Sequence, residues 1–312
     1  MKNTFQKTLI AAATGVVMLS AAGTASANSL LFPYFTTATG AQSVLTLTNT
    51  GAAAASQAVH YVYNYGSGCT HYDANGSLTA NDTLSHSIAD KNTAGGFGVA
   101  VSGDTSKAVY FPTKDTTGFL VVSSKSTGST DALRGHMVIV DPASGLSVAY
   151  PGIDNALDTS VAANEGNFAG IADKNFPLSW YPSSMVTTSW YSVVAGDMSG
   201  VIASGSNWTG TATFSNQGIV YDNEETAYSG TVSKSITCLG TIVPTDLMTG
   251  AQKDVIGTAK GGLIKTTITG SGTGVVMMKM QKVEASVGSP FAGRIFMHRE
   301  QGNSNPAPAG SS

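Results

Sequence analysis

Val59-His60-Tyr61-Val62-Tyr63-Asn64-Tyr65 decides the fold class. Successive side chains of a strand point to opposite faces, so Tyr61, Tyr63 and Tyr65 share one face and His60, Val62 and Asn64 the other. The same strand character recurs in both directions, at 43–49, 108–111, 118–123, 136–141, 146–150, 186–194, 209–214, 218–221, 231–239, 262–269, 274–283 and 294–298. Clusters of Gly, Asn, Asp and Ser separate these runs. Asp73-Ala74-Asn75-Gly76 is one such cluster and reads as a hairpin turn. Many short strands with turn signals between them predict an all-β fold, an antiparallel β-sandwich-like architecture with one or two short helices. The helical signal lies at 244–256, where Thr245 or Asp246 starts a turn and Leu247, Met248 and Val255 share a face. Residues 153–173 show no clean alternation and read as a long loop or a broken helix.

The first 27 residues have the form of a secretory signal peptide. Lys2 and Lys7 make a basic start, 9–22 is an apolar core, and Ala25-Ser26-Ala27 supplies small residues before a cut. The apolar run is shorter than the roughly 20 residues needed to span a bilayer. The expected mature chain begins at Asn28 and forms one β-rich domain over 28–301, the alternative being a sub-boundary near 151–178. Residues 302–312, rich in Asn, Pro, Gly and Ser, read as a disordered tail. The expected location is secreted, extracellular or at the cell surface, with the periplasm as the alternative.

Only 11% of residues are charged, against the usual ~25%. Small neutral side chains replace them, and such a surface repels its neighbours weakly. The whole chain carries −3; without the two lysines of the first 27 residues, 14 bases face 19 acids, a net −5. No stripe of Lys and Arg exists to displace phosphate counterions, so nucleic acid is excluded as a partner. No later stretch has the length or alternation for transmembrane insertion.

The two cysteines, Cys69 and Cys238, are expected to be bonded in an exported protein. Closing so long a loop contributes ~4–5 kcal/mol in the chain-entropy model. Around Cys69 lies the densest polar constellation: His60, His71, Asp73, Asn75, Asp82 and His86. Its spacing lacks the paired ligands of structural zinc sites, so no metal site is assigned. No cofactor is expected either; calcium at an acidic surface loop, 221–226, is the one ion whose chemistry the sequence suits. G-x-S-x-G and S-x-x-K are absent. Gly95-Gly96 and Gly98 form a loop with no following helix to make a phosphate cradle. Trp180, Trp190 and Trp208 are candidates for a sugar-stacking row, with core packing as the competing role.

The opening of the mature chain, Leu30-Leu31-Phe32-Pro33-Tyr34-Phe35 followed by Ser43-Val44-Leu45-Thr46-Leu47-Thr48-Asn49-Thr50, resembles a group of secreted proteobacterial surface proteins, largely uncharacterised, that begin with an L-L-F-P-Y segment. His60-Tyr61-Val62-Tyr63 leading to Cys69, residues 135–150, Thr188-Ser189-Trp190-Tyr191, and Tyr221-Asp222 leading to Cys238 are similar as well. The resemblance implies a secreted, β-rich envelope protein and transfers no catalytic residue. Physically, Pro33 cannot donate a ladder hydrogen bond, which places the block at an edge or bend. Leu30, Leu31, Phe32, Tyr34 and Phe35 are also candidates for a strand donated to a neighbouring molecule.

The expected function is non-enzymatic: a secreted structural or interaction protein of the cell surface, self-associating into a fibre or layer or binding other envelope components. A carbohydrate-binding module is the alternative, and a secreted hydrolase the second alternative.

Overall fold

A computed structural model describes residues 29–50, 56–89, 105–125, 133–155, 165–272, 274–284 and 292–302. The expected signal segment, the loop at Gly95-Gly96 and Gly98, and the expected tail from 303 lie outside the described residues. The fold is all-β. A five-stranded sheet carries, in spatial order, β4 (Thr70–Leu78), β3 (Gln57–Tyr65), β6 (Thr117–Ser124), β1 (Ser29–Thr36) and β9 (Ile153–Asp154). An eight-stranded sheet runs β16 (Leu239–Ile242), β11 (Val186–Ala195), β18 (Gly274–Val283), β19 (Ile295–Glu300), β8 (Leu146–Pro151), β7 (Leu133–Asp141), β2 (Gln42–Asn49) and β5 (Thr83–Ser87). The third sheet holds β14 (Ala227–Ser229), β13 (Ile219–Asp222), β17 (Gly262–Thr269), β12 (Thr211–Ser215) and β15 (Ser233–Thr237), with β10 (Asn175–Trp180) also paired to β17. All the strand ladders are antiparallel except the single register Leu146↔Ile295, where β8 meets β19.

Two cores result. Leu30, Phe32, Leu45, Leu47, Tyr61, Tyr63, Leu120 and Ile139 fill the first, between the five- and eight-stranded sheets. Phe176, Leu178, Trp180, Phe214, Val220 and Ile264 fill the second, against the six-stranded sheet. β11 and β18 serve both, because side chains alternate across a strand. Tyr191, Val193, Val276 and Met278 turn to the first core, whereas Trp190, Val194, Val275 and Met277 turn to the second. This explains why 186–194 and 274–283 read as nearly continuous apolar runs.

Three sequence expectations need correction. The cluster 73–76 is not a turn but the interior of β4, opposite β3; the hairpin bend lies at 66–69 instead. Gly76 suits that position because a Cβ there would stand 2.8 Å from the Tyr61 ring. Residues 108–111 form no strand, only an isolated bridge from Ala89 to Phe111. The run 231–239 breaks at Cys238, whose φ of 61° ends β15 and starts β16. The predicted helix at 244–256 is a 3-10 turn, Pro244–Leu247, followed by α2 (Gly250–Val255), which Thr249 and Gln252 close as a capping box. A further helix, α1 (Ser199–Ser204), precedes it in the chain.

Candidate functional site

The apolar block Leu30–Phe35 is built into its own molecule. β1 lies between β6 and β9, and Leu30, Leu31, Phe32 and Phe35 are buried. Phe32 occupies a slot where two chain segments approach without side chains: a Cβ on Gly135 or Gly152 would come within 2.9 and 2.8 Å of its ring. β9 pairs only with Leu30 and Leu31, so the rest of that edge lacks a strand partner. Side-chain hydroxyls take its place. The Tyr150 hydroxyl accepts from the Tyr34 N–H at 3.3 Å and donates to the Tyr34 carbonyl. Ser43 Oγ accepts from the Thr36 N–H at 3.1 Å and donates to the Thr36 carbonyl at 2.8 Å. The strand-donation candidates therefore complete a sheet within this chain.

The polar constellation divides. Cys69 is disulfide-bonded to Cys238, with Cα atoms 6.0 Å apart across a sequence separation of 169. Asp82 accepts from Ser106 Oγ, and His86 is a core residue whose Nδ1 donates to the Ser87 carbonyl at 2.9 Å. Burial holds the His86 pKa below the ordinary histidine value. His60, His71 and Asp73, in contrast, meet on one face of the β3–β4 ladder. Alternation puts His71 and Asp73 on the same side of β4, and the register His60↔Asn75 brings His60 diagonally beside Asp73. Asp73 Oδ2 stands 3.2 Å from His60 Nε2 and 3.6 Å from His71 Nε2.

Glu165 completes this group. Its carboxylate accepts from His60 Nδ1 through Oε1 and from Lys125 Nζ, just past β6, through Oε2. The adjacent Gly166 N–H donates to Ser29 Oγ at 3.0 Å, and Ser29 Oγ lies 2.8 Å from Ser123 Oγ. Burial pulls the Glu165 pKa upward, but the hydrogen bonds and charges of His60 and Lys125 outweigh it and leave the carboxyl below its ordinary range. Both ring nitrogens of His60 face carboxylates and none faces a hydroxyl nucleophile, so the cluster is not arranged as a Ser-His-Asp triad. Among the described residues, no three His, Cys, Asp or Glu side chains are placed to hold a metal ion.

The aromatic row does not exist. Trp180 and Trp190 are buried in the second core, where Trp190 Nε1 donates to Glu300 at 3.2 Å, and Trp208 is half-buried with its Nε1 on the Val194 carbonyl at 2.8 Å. The reason is position: Trp180 and Trp190 lie on the inward faces of β10 and β11. The acidic loop uses its own carboxylate internally. Asp222 Oδ1 accepts from the Glu224 and Thr226 amides, and Oδ2 faces the Tyr228 hydroxyl and Lys260 Nζ at 3.4 Å. An ammonium thus stands where a calcium ion would need an oxygen. A cleft of about 480 Å³ opens beside β1, lined by Pro33, Tyr150, Ile153, Ile171, Met278 and Arg299.

Outward faces carry hydroxyl pairs among sparse charges such as Lys234, Lys265 and Lys282. Thr48 and Thr83 lie 3.1 Å apart, Thr213 and Ser235 2.8 Å, and Thr211 and Ser271 3.0 Å, all exposed. No protein-family model matches the chain, and comparison with curated proteins gives no match.

Proposed function

We propose that the protein is a secreted, non-enzymatic structural or interaction protein of the cell surface, associating with copies of itself or with other envelope components. The observation that carries this reading is the neutral, hydroxyl-paired outer surface of the sheets. Thr–Ser and Thr–Thr pairs keep a sheet face solvated while adding almost no charge repulsion between approaching molecules. The edge strand β15 (Ser-Lys-Ser-Ile-Thr) has the same character, with one lysine as its only charge. The disulfide suits a non-reducing compartment, and no helix among the described residues is long and apolar enough to cross a membrane. The burial of Trp180 and Trp190 weighs against the glycan-binding alternative, and the double carboxylate embrace of His60 weighs against the hydrolase.

The test is size-exclusion chromatography with negative-stain electron microscopy of the chain from Asn28, with and without calcium. Regular fibres or sheets are expected at high concentration. A monomer at every concentration, equally inert toward envelope fractions, overturns the proposal.

A further inference from the structure

We infer that the stretch 165–172 is an acid-released strap, latched to the five-stranded sheet by the ionised cluster of His60, His71, Asp73, Lys125 and Glu165. The latch is drawn from four places in the chain. β3 supplies His60, β4 supplies His71 and Asp73, the residue after β6 supplies Lys125, and the strap itself supplies Glu165. These are the titratable groups that face one another there among the described residues. Three of the five are held away from water, the side chains of His60, His71 and Glu165 being 8%, 7% and 6% exposed, while Lys125 and Asp73 reach the surface.

The charge inventory decides the response to pH. With both imidazoles neutral, two carboxylates face one ammonium, and the group carries one net negative charge. Near neutral pH the ionised Glu165 carboxylate is paired with Lys125 and bonded by His60, so the latch is satisfied. Acid protonates Glu165, the one carboxylate that pairs with both His60 and Lys125. The Lys125 ammonium and the buried His60 ring then face a neutral carboxyl, and the charge pairing that held the strap is lost. Glu165 also stops accepting two charge-assisted hydrogen bonds at once, which are the strong ones in this corner.

What the strap covers makes the release consequential. Phe168 is fully buried against the first core, Ala172 nearly so, and Ile171 lines the cleft beside Pro33. Other ties are few and neutral. Gly166 N–H reaches Ser29 Oγ, Phe168 N–H reaches the Gly196 carbonyl at 2.8 Å, and Met198 N–H reaches the Gly166 carbonyl at 3.1 Å. Acid therefore bares apolar surface at this corner, while β12, on the far side of the second core from the Lys279–Glu300 pair beside Trp190, stays closed.

Hydrogen exchange of the full mature chain at pH 7 and pH 3, expressed as protection factors, tests this. Protection at 165–172 is expected to fall at least tenfold more than at Thr211–Ser215 of the second core, since each additional proton bound on opening is worth about tenfold per pH unit. In Glu165→Gln and, separately, Asp73→Asn, whose side chain is 41% exposed and tolerates exchange, the difference between the two pH values is expected to shrink at least threefold. Equal loss at both segments overturns the inference. So does a pH dependence that both variants retain in full.

Discussion

At the scale of single residues, the buried tyrosines set the alkaline limit of this protein. Burial, with the nearby charge of Asp141, pushes the Tyr34 phenol up to about 12. Burial likewise raises Tyr61, Tyr63, Tyr150 and Tyr191 above the ordinary value near 10. A phenol whose folded pKa is raised contributes full stability below its unfolded pKa and loses that contribution as pH climbs toward the folded one. Stability should therefore drop steeply between about pH 10 and 12. These five should ionise only together with unfolding, seen as a cooperative phenolate absorbance step that coincides with loss of circular dichroism. A gradual, reversible titration of every tyrosine in folded protein would show the burial to be wrong. The tyrosine face is also where the sequence is most readable, because alternation alone places Tyr61 and Tyr63 together. Glu165 is the opposite case. It sits 105 residues from His60, in a stretch of Asn, Ala and Gly with no periodicity, and no local pattern announces that pairing.

At the scale of elements, β1 shows how a strand edge without a neighbouring strand is kept satisfied. The Tyr150 hydroxyl serves both main-chain groups of Tyr34, and Ser43 does the same for Thr36. Tyr150→Phe keeps the ring and removes that service, leaving a partly buried donor and acceptor unpaired. The expected loss is about 1–3 kcal/mol in denaturant unfolding, with faster exchange of the Tyr34 amide. An unchanged midpoint and unchanged exchange would mean that water replaces the hydroxyl without cost, and that the edge is open to a pairing partner. Strands such as β2, β6, β11, β17 and β18 were legible because each buries a face and so carries alternation or a continuous apolar run. β4 was not, since most of its residues are at least partly exposed and its polar, turn-like composition reflects an edge position. β10 was missed for a different reason: Pro177 interrupts it, tolerable only because the strand pairs on one side with β17.

At the scale of the molecule, the decisive feature is that two cores share one pair of strands. Every strand of the five-stranded sheet precedes residue 155 and every strand of the six-stranded sheet follows residue 174, which is the division the irregular stretch after 150 suggests in the sequence. Yet β11 and β18 present one face to each core, and Cys69 of the first half is bonded to Cys238 of the second. Damage to one core should therefore be transmitted to the other. Leu47→Ala creates a cavity in the first core and is expected to cost about 2–5 kcal/mol. Trp180 and Trp190 lie in the second core and Trp208 packs against the first, so in a Trp208→Phe background the remaining fluorescence reports on the half that Leu47→Ala does not touch. If β11 and β18 couple the halves, the fluorescence midpoint in denaturant shifts by the same amount as the far-ultraviolet circular dichroism midpoint, in a single transition. A tryptophan midpoint that stays at its wild-type value while the circular dichroism splits would show that the six-stranded sheet and its share of β11 and β18 stand alone. The shared strands would then act as a seam between two independently folding units, and any assembly would have two building blocks per chain.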